Sequence, residues 1–317
     1  DGFLAGLHGA PRHPPLVNPS QAKVLGYFML IALAQALPEL LAGQSFYPLL
    51  DLSSVLLLWW PLPVLALCFE QCPQLPSGPT RWLSQTLENP GFTIGYSQWQ
   101  RGAVWVSYRL DADADRGRVD PRPDGYTRDT RTLWPVASED FRGSGYDRGH
   151  LAPNAAMSRF WGRGAQTAAM HMSNLMPQAP RLNRGVWQRL EMAELDLWLK
   201  GADRLWVLAG PVYDAYTRLP GGVRIPMAYF RIWVRVRGDR QDVIGFVVPQ
   251  TVCGDEAPSP FARPIAEIEA ATGLVLGPLS ALPEVTLTAA DRRRLDNTPL
   301  RYANDFRKTP KPEGCER

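Results

Sequence analysis

At 317 residues, with 45% apolar and 21% charged residues and a formal charge of +3, the chain has a globular composition, not that of a disordered, fibrous or strongly polyionic protein. The small net charge names no partner by itself. Between positions 101 and 240, however, 22 Lys+Arg exceed 15 Asp+Glu by 7, and 21 of those 22 cations are Arg. A planar guanidinium suits two-pronged phosphate contact; codon bias in a GC-rich genome explains the same excess equally well.

The first 80 residues differ from the rest. Residues 24–38 carry no charge, and residues 52–69 form an 18-residue uncharged run that reaches the transmembrane threshold, although Pro61 and Pro63 weaken a straight helix. Three readings stay open: the apolar core of an export signal cleaved near residues 66–73, a membrane hairpin, or buried helices of a soluble extension. The scarcity of polar positions favours an export signal or membrane anchor, with membrane association through residues 24–69. The protein is then exported, periplasmic or extracellular, or membrane-anchored. Leu65-Ala66-Leu67-Cys68 resembles a lipoprotein box, but Leu67 is larger than the small residue that box needs.

Of the four cysteines, Cys68 and Cys72 form the one close pair, and the set matches no four-ligand zinc spacing. Cys253 and Cys315 lie in Pro/Gly-rich surroundings, so a disulfide involving them or Cys72 is expected if the chain is exported, with buried free thiols as the alternative. The pairing is not readable. Residues 72–79 read as a linker, giving an N-terminal extension over 1–80, a folded domain over 81–290 and a tail over 291–317.

Beyond the linker the period changes. Residues 91–96 and 103–110 are rich in β-branched and aromatic side chains and predict a hairpin around the polar stretch 97–102. Residues 111–140 read as a long loop. Residues 183–200 place Val186, Trp187, Leu190, Ala193, Leu197 and Trp198 at spacings of three and four, an amphipathic helix ended by Gly201. Strands are predicted at 205–210, 228–237 and 243–249, and a short helix at 265–272. This order is not a regular alternation of strand and helix, so an α+β domain with a central antiparallel sheet is expected.

Within it, Asp147-Arg148-Gly149-His150 combines an acid, a permanent cation, a flexible position and a titratable base, and the following Pro153 and Asn154 predict a loop. Such a loop can hold phosphate through Arg148 while His150 takes a proton from water. Alone the tetrapeptide is more often an ordinary charged turn. Downstream, Asn174 and Gln178 flank a turn predicted at Pro177. Asn183, Trp187 and Glu191 recur every four residues, a slanting row on one helix face. An amide oxygen is a hard ligand suited to hydrated Mg²⁺, and Asn183 is equally suited to capping the helix.

Together these segments resemble the DNA/RNA non-specific endonuclease family, the ββα-metal (His-Me finger) nucleases. The resemblance runs through residues 142–150, Ser173-Asn174 with Pro177-Gln178, and Leu182-Asn183 followed by Trp187 and Leu190-Glu191. It implies a ββα-metal fold and Mg²⁺-dependent hydrolysis of DNA and RNA phosphodiesters, with Mn²⁺ able to replace Mg²⁺. It further implies His150 as general base, Asn183 as the protein ligand of the ion, and Glu191 orienting the ion's hydration water. Arg148 would shape the loop near phosphate, and an arginine of the long loop, Arg118 with Arg116 next, would stabilise the transition state.

Two positions depart from the family pattern. Leu195 stands where a second phosphate-clamping Arg is common, leaving Arg184 and Arg189 as substitutes, and Met227 stands where a Lys is expected. His171 and His150 do not suffice for a two-His metal site without a third close ligand. The competing functions are a non-catalytic nucleic-acid-binding or membrane-associated protein of the same fold, and a phosphodiesterase for a smaller substrate. Oligomeric state is unreadable, a homodimer being one option.

Overall fold

A computed structural model of the chain describes residues 68–75, 81, 83–213, 216–300, 309, 311–312 and 315. The chain divides into two compact units, Asp1–Leu62 and Pro63–Arg317; the second is described here. The uncharged runs at 24–38 and 52–67 lie outside the described residues. Among the described residues no helix is long and apolar enough to cross a membrane.

The second unit is built on a seven-stranded antiparallel sheet. Its strands are β1 (Ser84–Asn89), β2 (Phe92–Ser97), β3 (Gly102–Asp111), β6 (Arg204–Val212), β7 (Ala228–Arg237), β8 (Arg240–Pro249) and β9 (Ala262–Arg263), adjacent in that order. A separate two-stranded ladder pairs β4 (Asp147–His150) with β5 (Leu175–Gln178). The predicted hairpin, the central strands and the antiparallel character are all present.

Strand β7 shows why the sheet is central. Side chains alternate across a strand, and Tyr229 and Trp233 enter one apolar cluster while Phe230, Ile232 and Val234 enter another. Both faces are therefore covered, and the strand reads as a nearly continuous apolar run. One cover is α1 (Arg163–Ala168) together with the site helix, whose regular part is α2 (Trp187–Ala193). The other includes α3 (Ile265–Thr272), whose C-terminus is closed by Gly273 in the left-handed region.

Residues predicted as linker also join this second cover. Phe69 meets Trp206 edge-to-face at 6.2 Å, and Gln74 bridges Val275. The described part of the linker thus packs on the sheet through the buried Pro73 and the partly buried Leu75, next to Phe69 of the preceding uncharged run. At the other end Leu295 of α4 (Ala289–Asp296) is fully buried in the first cluster, so that cluster extends past position 290.

The cysteines pair as Cys68–Cys72 and Cys253–Cys315. The second bond ties the C-terminal segment to the loop after β8. Arg181, at the start of the site helix, donates to the carbonyls of Cys253 and Thr309, both at 2.7 Å. The same loop shapes that helix. A Cβ on Gly185 would lie 2.1 Å from the Gly254 carbonyl oxygen, and Gly185 is non-helical at φ −109°, ψ −112°. The helix is consequently wide-turned over Leu182–Val186 and regular only from Trp187.

Candidate active site

The β4–β5 ladder and the site helix enclose a cleft of about 450 Å³. His150, Asp147, Arg148, Asn183, Arg184 and Glu191 line it, with Arg122 and Tyr126 on its loop wall. The structure brings His150, Asn183 and Glu191 together although up to 41 positions separate them in the chain.

Asp147–His150 is a strand and not the predicted loop. Each of its residues has a partner in β5, including Arg148 opposite Pro177 and His150 opposite Leu175. Pro177 likewise lies inside a strand and not at a turn; its missing N–H is tolerated because this two-stranded ladder has free edges. Gly149 is required by packing, since a Cβ there would lie 2.0 Å from Gln178 Oε1.

The backbone around His150 is fixed from three sides. Trp187 Nε1 donates to the His150 carbonyl at 3.2 Å, and Arg231 donates to the Leu151 carbonyl at 3.2 Å. Asn174 clamps the next residue: its side-chain oxygen accepts from the Ala152 N–H at 2.9 Å and its amide donates to the Ala152 carbonyl at 3.0 Å. The imidazole itself keeps a buried Nε2 with no hydrogen-bond partner. Burial, then the nearby Arg122 cation, hold its pKa down at about 3, so the ring is neutral across the physiological range.

Asp147 sets the orientation of Asn183. Its Oδ2 accepts from Asn183 Nδ2 at 2.9 Å, and both carboxylate oxygens accept from Arg184, at 2.8 and 2.7 Å. With the amide nitrogen committed, the Asn183 carbonyl oxygen is left as its acceptor. Asn183 is not the helix cap: its N–H already donates to the Ala179 carbonyl at 2.9 Å, so the helix begins before it. Of the predicted row, Trp187 turns into the core, fully buried, while Asn183 and Glu191 line the cleft.

Beneath Glu191 lies a buried ionic network that periodicity did not reveal. Arg231 and Glu194 are both fully buried and paired, and Glu194 also accepts from Tyr108 at 2.7 Å and Trp233 at 2.8 Å. Arg231 stacks on Trp187 at 4.3 Å and approaches Glu191 Oε1 at 3.6 Å. Burial in the cleft floor, opposed by Arg231 and reinforced by Glu194, pushes the Glu191 pKa up to about 8. In the folded state Glu191 therefore holds its proton between the unfolded value near 4.5 and about 8, and the folded state loses stability as pH rises through that window. Without divalent cations, Glu191→Gln is expected to melt at the same temperature as wild type below pH 4.5 and higher at pH 8 and above. The gain should be on the order of 1–2 kcal/mol, below the full linkage value because the open cleft hydrates the carboxyl. Thermal melts across pH check this, and a difference that is flat with pH would contradict it.

The arginines sort differently from the sequence expectation. Arg118 is not among the cleft-lining residues: it is 71% exposed and its nearest carboxylate is Asp120, at 3.9 Å. Arg116 is also turned away, donating to the Ser158 carbonyl at 3.1 Å. The long-loop arginine in the cleft is Arg122, held by the Tyr126 hydroxyl at 3.1 Å and stacked on its ring at 5.6 Å. Arg148 lines the cleft but is occupied: it donates to the Ser138 carbonyl and lies over the Tyr126 and Phe141 rings, both at 5.5 Å. That makes it a support for the loop wall more than a phosphate hook. Arg184 borders the cleft, whereas Arg189 donates to the carbonyls of Asp255 and Glu256. His171 lies near Asp129, 4.0 Å away, and not in the cleft.

Residues 77–281 match the family model for the DNA/RNA non-specific endonuclease. The chain belongs to that family. Among similar proteins, human mitochondrial endonuclease G is 29% identical over 212 residues, spanning 62% of this chain and 70% of that protein. Nuclease C1 of Cunninghamella echinulata var. echinulata is 28% identical over 209 residues, 59% and 81% of the two chains. A nuclease of Nostoc sp. is 32% identical over 151 residues, 45% and 52%. The crystal structure of the EndoG/EndoGI complex, which addresses the mechanism of EndoG inhibition, shares the fold. Its TM-score is 0.56 at 22% identity, covering 60% of this chain and 84% of that one. As a member of the non-specific endonuclease family the protein is an endonuclease, and the β4–β5 ladder followed by the site helix supplies the ββα unit of its fold.

Proposed function

We propose that the protein hydrolyses DNA and RNA phosphodiesters without sugar selectivity, using His150 as general base and a hydrated Mg²⁺ held by Asn183. The observation that carries this reading is the convergence on one cleft of a neutral imidazole, whose buried Nε2 has no hydrogen-bond partner, and an amide whose nitrogen is already engaged by Asp147.

The donors present fit the ion. The Asn183 amide oxygen is a hard ligand, and Mg²⁺ retains most of its water, so one protein oxygen suffices. When bound it would neutralise charge on a non-bridging phosphate oxygen and on the leaving oxygen. Mn²⁺ accepts the same donors.

The remaining roles belong to the chain. With Nε2 closed off, proton removal from the attacking water falls to Nδ1 of His150, and an entering phosphodiester anion raises its basicity from the depressed value. Asp147 fixes which atom of Asn183 faces the cleft. With a divalent cation in the cleft to displace its proton, Glu191 would accept hydrogen bonds from water at the cleft floor. Arg122 provides the free guanidinium edge that meets the phosphate, in place of Arg118, and backbone contact of this kind is indifferent to base sequence. The two disulfides support a compartment that is oxidising, outside the cytoplasm.

The experiment is cleavage of plasmid DNA, single-stranded DNA and RNA at low salt with Mg²⁺, with EDTA, and with Mg²⁺ restored. EDTA should stop all three reactions and excess Mg²⁺ should recover them; cleavage that persists in EDTA would refute the ion's role. Arg122→Ala should lower kcat/KM by about 10²–10³-fold, the size expected for a lost charge-stabilising contact. Arg118→Ala should stay close to wild type, and the opposite ranking would return the role to Arg118.

A further inference from the structure

Away from the cleft, the tip of the β2–β3 hairpin meets the connection between β6 and β7. The Arg224 N–H donates to the Gln100 carbonyl at 3.1 Å, and Arg101 donates to the Gly221 carbonyl. On this junction Trp99 is 51% exposed and Tyr216 75% exposed. Arg218 lies over the Trp99 ring at 5.7 Å, and Arg224 is sandwiched between Tyr213 at 4.5 Å and Tyr216 at 4.6 Å. Arg218 and Arg224 are bridge partners, so the aromatic and cationic groups form one continuous strip. Beside it the Leu133 N–H donates to Gln98 at 3.2 Å, which brings the partly exposed Trp134 to the same edge.

We propose that this strip is a second nucleic-acid contact, a platform on which unpaired bases of a strand leaving the cleft stack on Trp99 and Tyr216 while its phosphates meet Arg101 and Arg218. The proposal extends the nuclease reading above and rests on it. Exposed aromatic faces interleaved with arginine are the combination that holds single strands irrespective of sequence. The strip also connects physically to the cleft. The segment that begins at Leu133 continues to Ser138, whose carbonyl is gripped by Arg148, and to Asp140, which lies 3.7 Å from Arg101. A second copy of the chain fits less well. In a two-fold interface the patch meets itself, setting the half-buried Arg218 against its own counterpart, whereas a polyanion neutralises it.

The test compares wild type with the surface double variant Trp99→Ala/Tyr216→Ala. Affinity for a fluorescein-labelled oligothymidine of about 20 nucleotides, a length that spans more than one stacking site, is measured by anisotropy in EDTA. KM and kcat on long single-stranded DNA are then measured in Mg²⁺. Lost stacking predicts tenfold or weaker affinity and a matching rise in KM, with kcat unchanged. Trp99→Phe/Tyr216→Phe should retain most of the affinity. Affinity and KM within about twofold of wild type, less than one stacked base contributes, would overturn the proposal. So would light scattering showing that the double variant converts a dimer to a monomer, which would assign the patch to self-association. If wild type binds the oligonucleotide but cuts nothing, the nuclease reading fails and the platform stands.

Discussion

Replacing His150 by alanine is expected to lower kcat on both DNA and RNA by about three orders of magnitude, in the range that general-base catalysis contributes, while leaving the fold intact. The two parts of that expectation have separate grounds. The loss of rate follows from position: the imidazole lines the cleft with Asn183 and Glu191 and is held neutral by burial and by Arg122. The retained fold follows from how the residue is anchored. What holds position 150 in place is its backbone, through the Trp187 indole and the ladder to Leu175, and the flanking carbonyl of Leu151 through Arg231. Removing the side chain deletes a buried nitrogen that has no hydrogen-bond partner, so no partner group is left unsatisfied. His150→Ala also removes a group whose folded pKa is depressed. The folded imidazole resists the proton that the unfolded one takes up between about pH 6.5 and 3, so stability falls as pH drops through that window. The variant should therefore show a shallower loss of melting temperature below pH 6. Steady-state cleavage and thermal melts on the same preparations test both halves. Activity within tenfold of wild type would remove His150 from the chemistry.

What could be read from the sequence divides along physical lines. That His150, Asn183 and Glu191 would share one site was legible because their types carry chemistry and two of them share a helical spacing, and the three line one cleft. Strands β3, β7 and β8 were legible because β-branched and aromatic residues recur along them. Strand β1, Ser84–Asn89, has only Leu87 buried, and an edge strand with one apolar anchor gives no alternating signal. Strand β4 is four residues long, and its charged composition and following Pro153 read as loop; what makes it a strand is the pairing partner β5, 25 positions away at the near end of the ladder, where His150 lies opposite Leu175. Arg118 and Arg122 cannot be ranked from a loop without periodicity. Their difference arises from the Tyr126 ring and hydroxyl, which draw Arg122 into the cleft. The Arg231–Glu194 pair was invisible for the same kind of reason, since a lone Arg in an apolar strand shows its meaning only when a carboxylate from a distant helix is buried against it.

That pair sets the largest stability effect. Glu194→Gln should destabilise the folded unit by about 3–5 kcal/mol, because it leaves the Arg231 cation buried without its counter-charge. For a unit of this size that corresponds to a fall in melting temperature of roughly 10 °C. The sign does not depend on whether the intact pair is itself stabilising. Removing two charges together is often neutral, whereas removing one strands the other. Arg231→Met combined with Glu194→Leu should accordingly melt closer to wild type than either single variant, although the double change still leaves the Tyr108 hydroxyl and the Trp233 indole without their shared acceptor. Activity separates the two roles of the network. Arg231 also holds the Leu151 carbonyl, stacks on Trp187 and approaches Glu191. A repacked double variant that regains its melting temperature is therefore expected to remain slower than wild type, with the loss in kcat and not in KM, because the phosphate contact proposed for Arg122 is untouched. If the repacked protein recovers full kcat along with its stability, the network serves only to hold the helix against the sheet.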